Sequence, residues 1–178
     1  MDEMMNDFRL VPLDPDRHAE ALHRIFGDEA SCRYLPRPAQ KRVEDTAALI
    51  RAWNEGFEDT SWAIEDTTSG ECVGRIQTYS KEDAIWEVAC MVVPEARGRR
   101  LAERAIQHAV DVTFREKGAR RIFADVDPDN VACVRTFERL GFTLEGRLRA
   151  AWKTHIGVRD SLIFAMIDRD RRPWHDAD

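Results

Sequence analysis

A mixed α/β domain is the fold class the sequence predicts, and three observations predict it. Stretches of two-residue alternation or continuous apolar character are interleaved with stretches of helical spacing, so neither class alone accounts for the chain. Two segments, Trp86–Ala109 and Arg121–Leu140, each pass from a strand through a tight turn into a helix, which sets two strand–turn–helix units side by side. No internal repeat, low-complexity linker or charge run divides the 178 residues, a length that can bury one substantial core without disulfide or metal staples. A single domain over 1–178 follows, with a polar tail from about residue 169 that reads as frayed.

Each element has its own signal. Phe8 to Leu13 alternates weakly and stops at Asp14-Pro15, giving a first strand and then a helix from about Asp16 to Asp28 with Ala21, Leu22, Ile25 and Phe26 inward. Tyr34-Leu35-Pro36-Arg37-Pro38 is a loop, because each proline removes a donor and restricts its predecessor. A second helix spans about Val43 to Phe57. Ser61–Asp66 and Cys72–Tyr79 form a hairpin across Thr67-Thr68-Ser69-Gly70. A third strand begins at Ile85, and its run Val88-Ala89-Cys90-Met91-Val92-Val93 reads as buried on both faces until Pro94 ends it.

The following helix carries Ala102, Ala105, Ile106, Ala109, Val110 and Thr113 on one narrow face and closes at Lys117-Gly118. Arg121–Val126 is a further buried strand. Asp127-Pro128-Asp129-Asn130 opens a short helix, with Asp129 or Asn130 as its N-cap, that ends at Leu140-Gly141. Phe142–Arg149 and Asp160–Ile167 close the sheet as an antiparallel pair across a long excursion holding Trp152.

Composition narrows the function. A net charge of −6 excludes a general nucleic-acid binder, since the cluster from Arg97 to Arg104 is too local for a phosphate-tracking surface. No apolar run is long enough to span a bilayer, and the acidic, polar start, Met1 to Arg9, does not read as a secretory signal. The four cysteines and five histidines are scattered without metal-ligand spacing, so no metal site and a reducing, cytoplasmic location are expected. His108, bordering the apolar helix face, reads as a structural histidine.

The basic turn Arg97-Gly98-Arg99-Arg100 lies where the next helix leaves its first N–H groups unpaired. Helix dipole and three arginines together favour an anion there, most simply a small phosphorylated ligand. Neither a P-loop nor a Gly-x-Gly-x-x-Gly sequence is present. On the short helix, Asn130, Cys133 and Phe137 share one face.

These two constellations resemble a known family. Arg97-Gly98-Arg99-Arg100-Leu101-Ala102 is similar to the pyrophosphate loop of the GCN5-related N-acetyltransferases, with Arg100 where the family carries glycine. Asn130 to Phe142 resembles their second cofactor motif, in the form found in the branch that acetylates ribosomal-protein N-termini; Leu144 to Arg149 and Asp160 extend that likeness. The resemblance implies a mixed, mostly antiparallel sheet of about seven strands, splayed between the fourth and fifth and flanked by about four helices. It also implies transfer of acetyl from acetyl-CoA to an amine by direct attack.

By the same resemblance, backbone at Met91 and Val93 would pair with the pantetheine arm, and the N–H groups of Arg97, Gly98, Arg99, Arg100, Leu101 and Ala102 would hold the pyrophosphate. Asn130 would face the arm and Phe137 would pack along it; capping and core packing are their plainer roles. Many members carry a tyrosine at the position of Phe137 to protonate the departing thiolate. Cys133 is the available substitute, or a small packing residue. Glu87, the one ionisable side chain in the central strand, is the candidate base acting through water, or a carboxylate at an exposed strand start.

The acceptor is read as a protein N-terminal amine. A small amine, such as an aminoglycoside, a polyamine or an amino acid, is the alternative, and Glu44, Asp45, Glu55, Glu58 and Asp59 are acids that would suit a polycation. An acyl-CoA sensor without catalysis is a third reading. Relatives often form homodimers, and the segment around Trp152 is a candidate interface.

Overall fold

The computed structural model describes residues 7–57 and 60–175. The element order is β1 (Phe8–Pro12), α1 (Pro15–Phe26), α2 (Glu29–Cys32), α3 (Val43–Asn54), β2 (Ser61–Asp66), β3 (Cys72–Glu82), β4 (Ile85–Val92), α4 (Leu101–Lys117), β5 (Arg121–Val126), α5 (Val131–Arg139), β6 (Thr143–Thr154) and β7 (Gly157–Ile167). One seven-stranded sheet runs β1-β2-β3-β4-β5-β7-β6. Its β4–β5 pair is parallel and the other neighbours are antiparallel, as a strand–helix–strand crossover through α4 requires.

Alternation along β3 separates the two faces. Thr78 meets Thr113 of α4 through their hydroxyls at 2.7 Å, whereas Gln77, one residue earlier, donates to the carbonyl of Trp53 on α3 at 2.7 Å. So α1 and α3 cover one face and α4 the other, with α5 joined to α4 by the ion pair of Arg139 and Glu103 at 2.9 Å. The core fills both layers with Phe8, Leu22, Ile25, Ile50, Ile64 and Ile76, and with Leu101, Ile106, Ile122, Phe164 and Met166.

Several expectations are revised. Helix α3 stops at Asn54, because Gly56 takes a left-handed turn, and Cys32 lies in an extra single-turn helix capped by Asp28. No long excursion interrupts the closing pair: β6 and β7 form one hairpin from Thr143 to Ile167, turning at His155–Ile156, with Trp152 inside β6. Bulges at 144–146 and 148–152, the second holding Ala150 at φ 53°, absorb the residues that had looked like a loop. Residues 169–175 of the tail are docked, not frayed. Trp174 donates to Asp111 on α4 at 2.8 Å, and Arg172 stacks on Phe114 at 4.5 Å.

Candidate active site

The site is built on a gap in the sheet. β4 and β5 pair only at Ile85–Arg121, Trp86–Ile122 and Glu87–Phe123; β4 then runs on to Val92 and β5 to Val126 without further partners between them. That divergence explains why β4 is half-buried, apart from Val88, rather than buried on both faces as its apolar run implies. The strand lines an open cleft.

Which backbone groups face the gap follows from one bond. Val93 N–H donates to Val73 O at 2.9 Å, so Val93 faces β3, and two-residue alternation turns Met91, Ala89 and Glu87 the same way. Cys90 and Val92 therefore present their N–H and C=O to the gap, past the last β5 pair. The expectation that Met91 and Val93 hold the spare groups is displaced by one residue, because an apolar run carries no mark of which edge each amide faces.

Beyond Pro94 the chain turns into α4. The first bond of the helix is Arg104 N–H to Arg100 O at 3.1 Å, and no side chain caps the end. Among the described residues, the N–H groups of Gly98, Arg99, Arg100, Leu101, Ala102 and Glu103 have no backbone acceptor. Arg100 adopts φ 57° and ψ 21°, and Gly98 φ 83°. The left-handed backbone that a glycine would supply at position 100 is thus present, imposed on an arginine. Its side chain points outward, with Glu103 at 4.0 Å.

The turn's arginines are less free than the sequence implies. Arg99 is held by Asp66 at 2.7 Å and Asp7 at 3.2 Å, and Arg97 donates to Ser31 at 2.6 Å. The turn therefore presents open backbone amides more than open guanidiniums.

At the paired end of β4, Glu87 turns toward β3. Its carboxylate lies 3.3 Å from Lys81 Nζ and is 16% exposed, so it is not the open strand-start acid that sequence allows. Burial first, then the Glu87 charge and a hydrogen bond to it, raise the Tyr79 hydroxyl far above the usual phenol range; Asp125 adds to this. Asp125 itself accepts from Trp152 Nε1 at 2.8 Å and from the Ser161 hydroxyl.

Across the gap, Asn130 caps α5, accepting from Cys133 N–H at 3.3 Å. Phe137 belongs to the core, 4% exposed, edge-on to Phe142 at 5.1 Å and stacked on Phe164 at 6.1 Å. Burial pushes the Cys133 thiol up to about 12. Cys133 stands in the first turn of α5, where the helix dipole favours a thiolate, but desolvation outweighs it. His108 lies edge-on to Trp62 at 6.1 Å, its pKa lowered by burial, as a structural histidine.

A gapped parallel pair, an uncapped helix start and a carboxylate at the paired end of the gap can accommodate an extended amide-bearing chain ending in a phosphorylated group. Residues 7–143 match the family model described as acetyltransferase (GNAT) domain. The chain belongs to the GNAT acetyltransferases. It is therefore an acyltransferase of a family that uses acetyl-CoA.

Relatives of this acetyltransferase agree. An uncharacterized N-acetyltransferase of Bacillus subtilis, YoaA, is 27% identical over 139 residues, covering 75% of this chain and 78% of the relative. A probable GNAT-family acetyltransferase structure from Chromobacterium violaceum is 28% identical with a TM-score of 0.79, over 92% of this chain and 84% of the other. The spermidine N-acetyltransferase of Vibrio cholerae, solved with CoA and spermine, shares the fold at a TM-score of 0.76 and 18% identity, over 90% and 95% of the two chains.

Within this GNAT domain the structure brings Glu87, Cys90 and Val92 along one strand and residues 97–102 beyond its end. Sequence reasoning missed Tyr79, Arg75 and Asp125. A charged or hydroxylated residue at alternate positions of the otherwise buried β3 was the available signal for the first two. Glu44, Asp45 and Glu55 lie on or next to α3, Asp45 paired with Arg42 at 3.1 Å; Glu58 and Asp59 lie outside the described residues.

Proposed function

We propose that this chain transfers the acetyl group of acetyl-CoA to a primary amine by direct attack, and that the amine is the N-terminus of a protein. The observation that carries the first part is the edge of β4 at Cys90 and Val92 leading directly into six unpaired N–H groups at the start of α4. An amide-bearing arm added beside β4 would satisfy that edge as an extra strand does, and a pyrophosphate would satisfy the helix start. CoA supplies the acetyl thioester. The chain supplies alignment, which contributes about 7–11 kcal/mol when reacting groups are held in register.

Glu87 takes the proton of the attacking amine through water as the N–C bond forms and the C–S bond breaks. Strand N–H groups near Cys90 polarise the thioester carbonyl. Cys133, kept as a neutral thiol by burial, is the candidate to protonate the leaving sulfur. Asn130 lies on the far wall of the gap. The protein N-terminus as acceptor rests on the likeness of residues 130–142 to the ribosomal-protein branch.

The reading also includes a reducing, cytoplasmic setting and self-association. Leu144, Leu148, Trp152, Ile156 and Val158 are exposed on or between β6 and β7, an edge that a second copy would cover. Sedimentation of the wild type against Leu148→Lys tests the latter: a dimer lost in the variant supports it, and a monomer in both ends it. Thiol release from acetyl-CoA, with N-terminal peptides and small amines as acceptors, tests the transfer. CoA binding without release on any amine would instead favour a sensor.

A further inference from the structure

On the α3 side of the sheet a cation is buried without a counter-charge. Arg75, on β3 opposite Met91, is 4% exposed. Its guanidinium stacks on the Trp53 ring at 4.5 Å and donates through Nη2 to the neutral amide oxygen of Gln77. Its Nε is buried with no hydrogen-bond partner, and among the described residues no carboxylate pairs with it. An unpaired buried charge is costly, and burial lowers the Arg75 pKa to about 10 even for this strong base. Glu65, another buried charge in this half of the molecule, shows the contrast, since Arg9 and Arg17 both reach it.

The position matters as much as the charge. Tyr79–Glu87, Gln77–Ala89 and Arg75–Met91 are successive partners on the same face of β3 and β4. By reaching Gln77, the Arg75 side chain leans along the strand toward the Gln77–Ala89 pair and so toward Glu87. The carboxylate of Glu87, opposite Tyr79 and two strand pairs from Arg75, marks the other end. This face therefore carries an unpaired guanidinium at one end and, at the other, the Glu87 carboxylate with Lys81 as its partner.

We infer that the acceptor is an amine that also carries a carboxylate, its amino group drawn to Glu87 and its carboxylate to Arg75. The inference rests on the proposed transfer and names the class of acceptor for it. A free amino acid and a peptide whose first residues include an acid share this chemistry; a polyamine does not, because its second charge would meet Arg75.

The experiment is thiol release from acetyl-CoA by the full chain with matched acceptors. One set is phenylalanine, phenylalaninamide and phenethylamine. Another is peptides Ala-Glu-Phe and Ala-Gln-Phe with amidated C-termini, and spermidine is the cationic control. The inference expects kcat/KM at least tenfold higher for the carboxylated member of one set, and which set responds separates amino acid from peptide. Arg75→Met should bring that ratio to about one through KM, with CoA affinity unchanged, and Arg75→Lys should retain part of it. Equal rates with carboxylated and neutral partners, or preference for spermidine, would overturn the inference while leaving the transferase reading intact. No release with any amine overturns both. If Arg75→Met fails to fold, the wild-type ratio decides alone.

Discussion

Arg99 Nη1 lies 2.7 Å from Asp66 Oδ2, so the turn that opens α4 is fastened to the end of β2. The amides of Ser69 and Thr68 also bond the Asp66 carboxylate, and these contacts, the Ser69 amide first and Arg99 next, hold its pKa at about 2. The folded value lies below the unfolded one, so the ionised form favours folding. That contribution is complete above the unfolded pKa, about 3.9, and is lost as pH falls through about 2. Urea midpoints between pH 2 and 7 should fall at the acid end, and Asp66→Asn should lower the neutral-pH midpoint while flattening part of that acid limb. An unaltered acid limb in the variant would remove Asp66 from the account.

Arg100 is the strained residue of the same turn. A left-handed backbone costs a non-glycine residue roughly 1–2 kcal/mol, and glycine gives back about 0.5–1 kcal/mol through its freer unfolded chain. Arg100→Gly should therefore stabilise the protein by about 0.5–1 kcal/mol in urea denaturation. Arg100→Val, β-branched at the same φ, should destabilise it by about 1 kcal/mol or more. CoA affinity should change little in Arg100→Gly, because the amide persists; a stability loss in that variant would show that the side chain outweighs the strain.

The proposed role of Glu87 is that of proton acceptor. Glu87→Gln should lower kcat by 10²-fold or more, the typical contribution of a general base, while the dissociation constant of CoA stays within about twofold. An unchanged kcat would leave Glu87 as the partner of Lys81 and Tyr79 alone.

Cys133 is a neutral thiol at working pH. In native protein at pH 8, iodoacetamide should label it far more slowly than an unfolded control, as read by mass spectrometry of its peptide. Rapid labelling in the native state would contradict the raised pKa.

Local pattern carried most of the fold. Helical spacing, Asp14-Pro15, Gly118 and Asn130 placed α1, α4 and α5 within a residue or two, since caps and periodicity act on neighbours in sequence. Where tertiary pairing decides, it was less legible. The β6–β7 hairpin takes two bulges that only strand register reveals, and Trp174 and Arg172 turn a polar tail into a docked one through contacts with α4.

The candidate site divides in the same way. By itself the sequence determined the basic turn at 97–102 ahead of a helix, a cap for α5 at Asp129 or Asn130, the acid in β4 and the GNAT likeness that the match over residues 7–143 bears out. Only the tertiary structure decided which amides face the gap, because the Val93–Val73 bond sets the alternation of the whole strand. It alone paired Arg99 with Asp66, left-handed Arg100 in the glycine position, and raised Cys133 by burial rather than lowering it by dipole. It alone left Arg75 without a carboxylate partner among the described residues. Burial and pairing depend on residues far apart in the chain, and no local spacing encodes them.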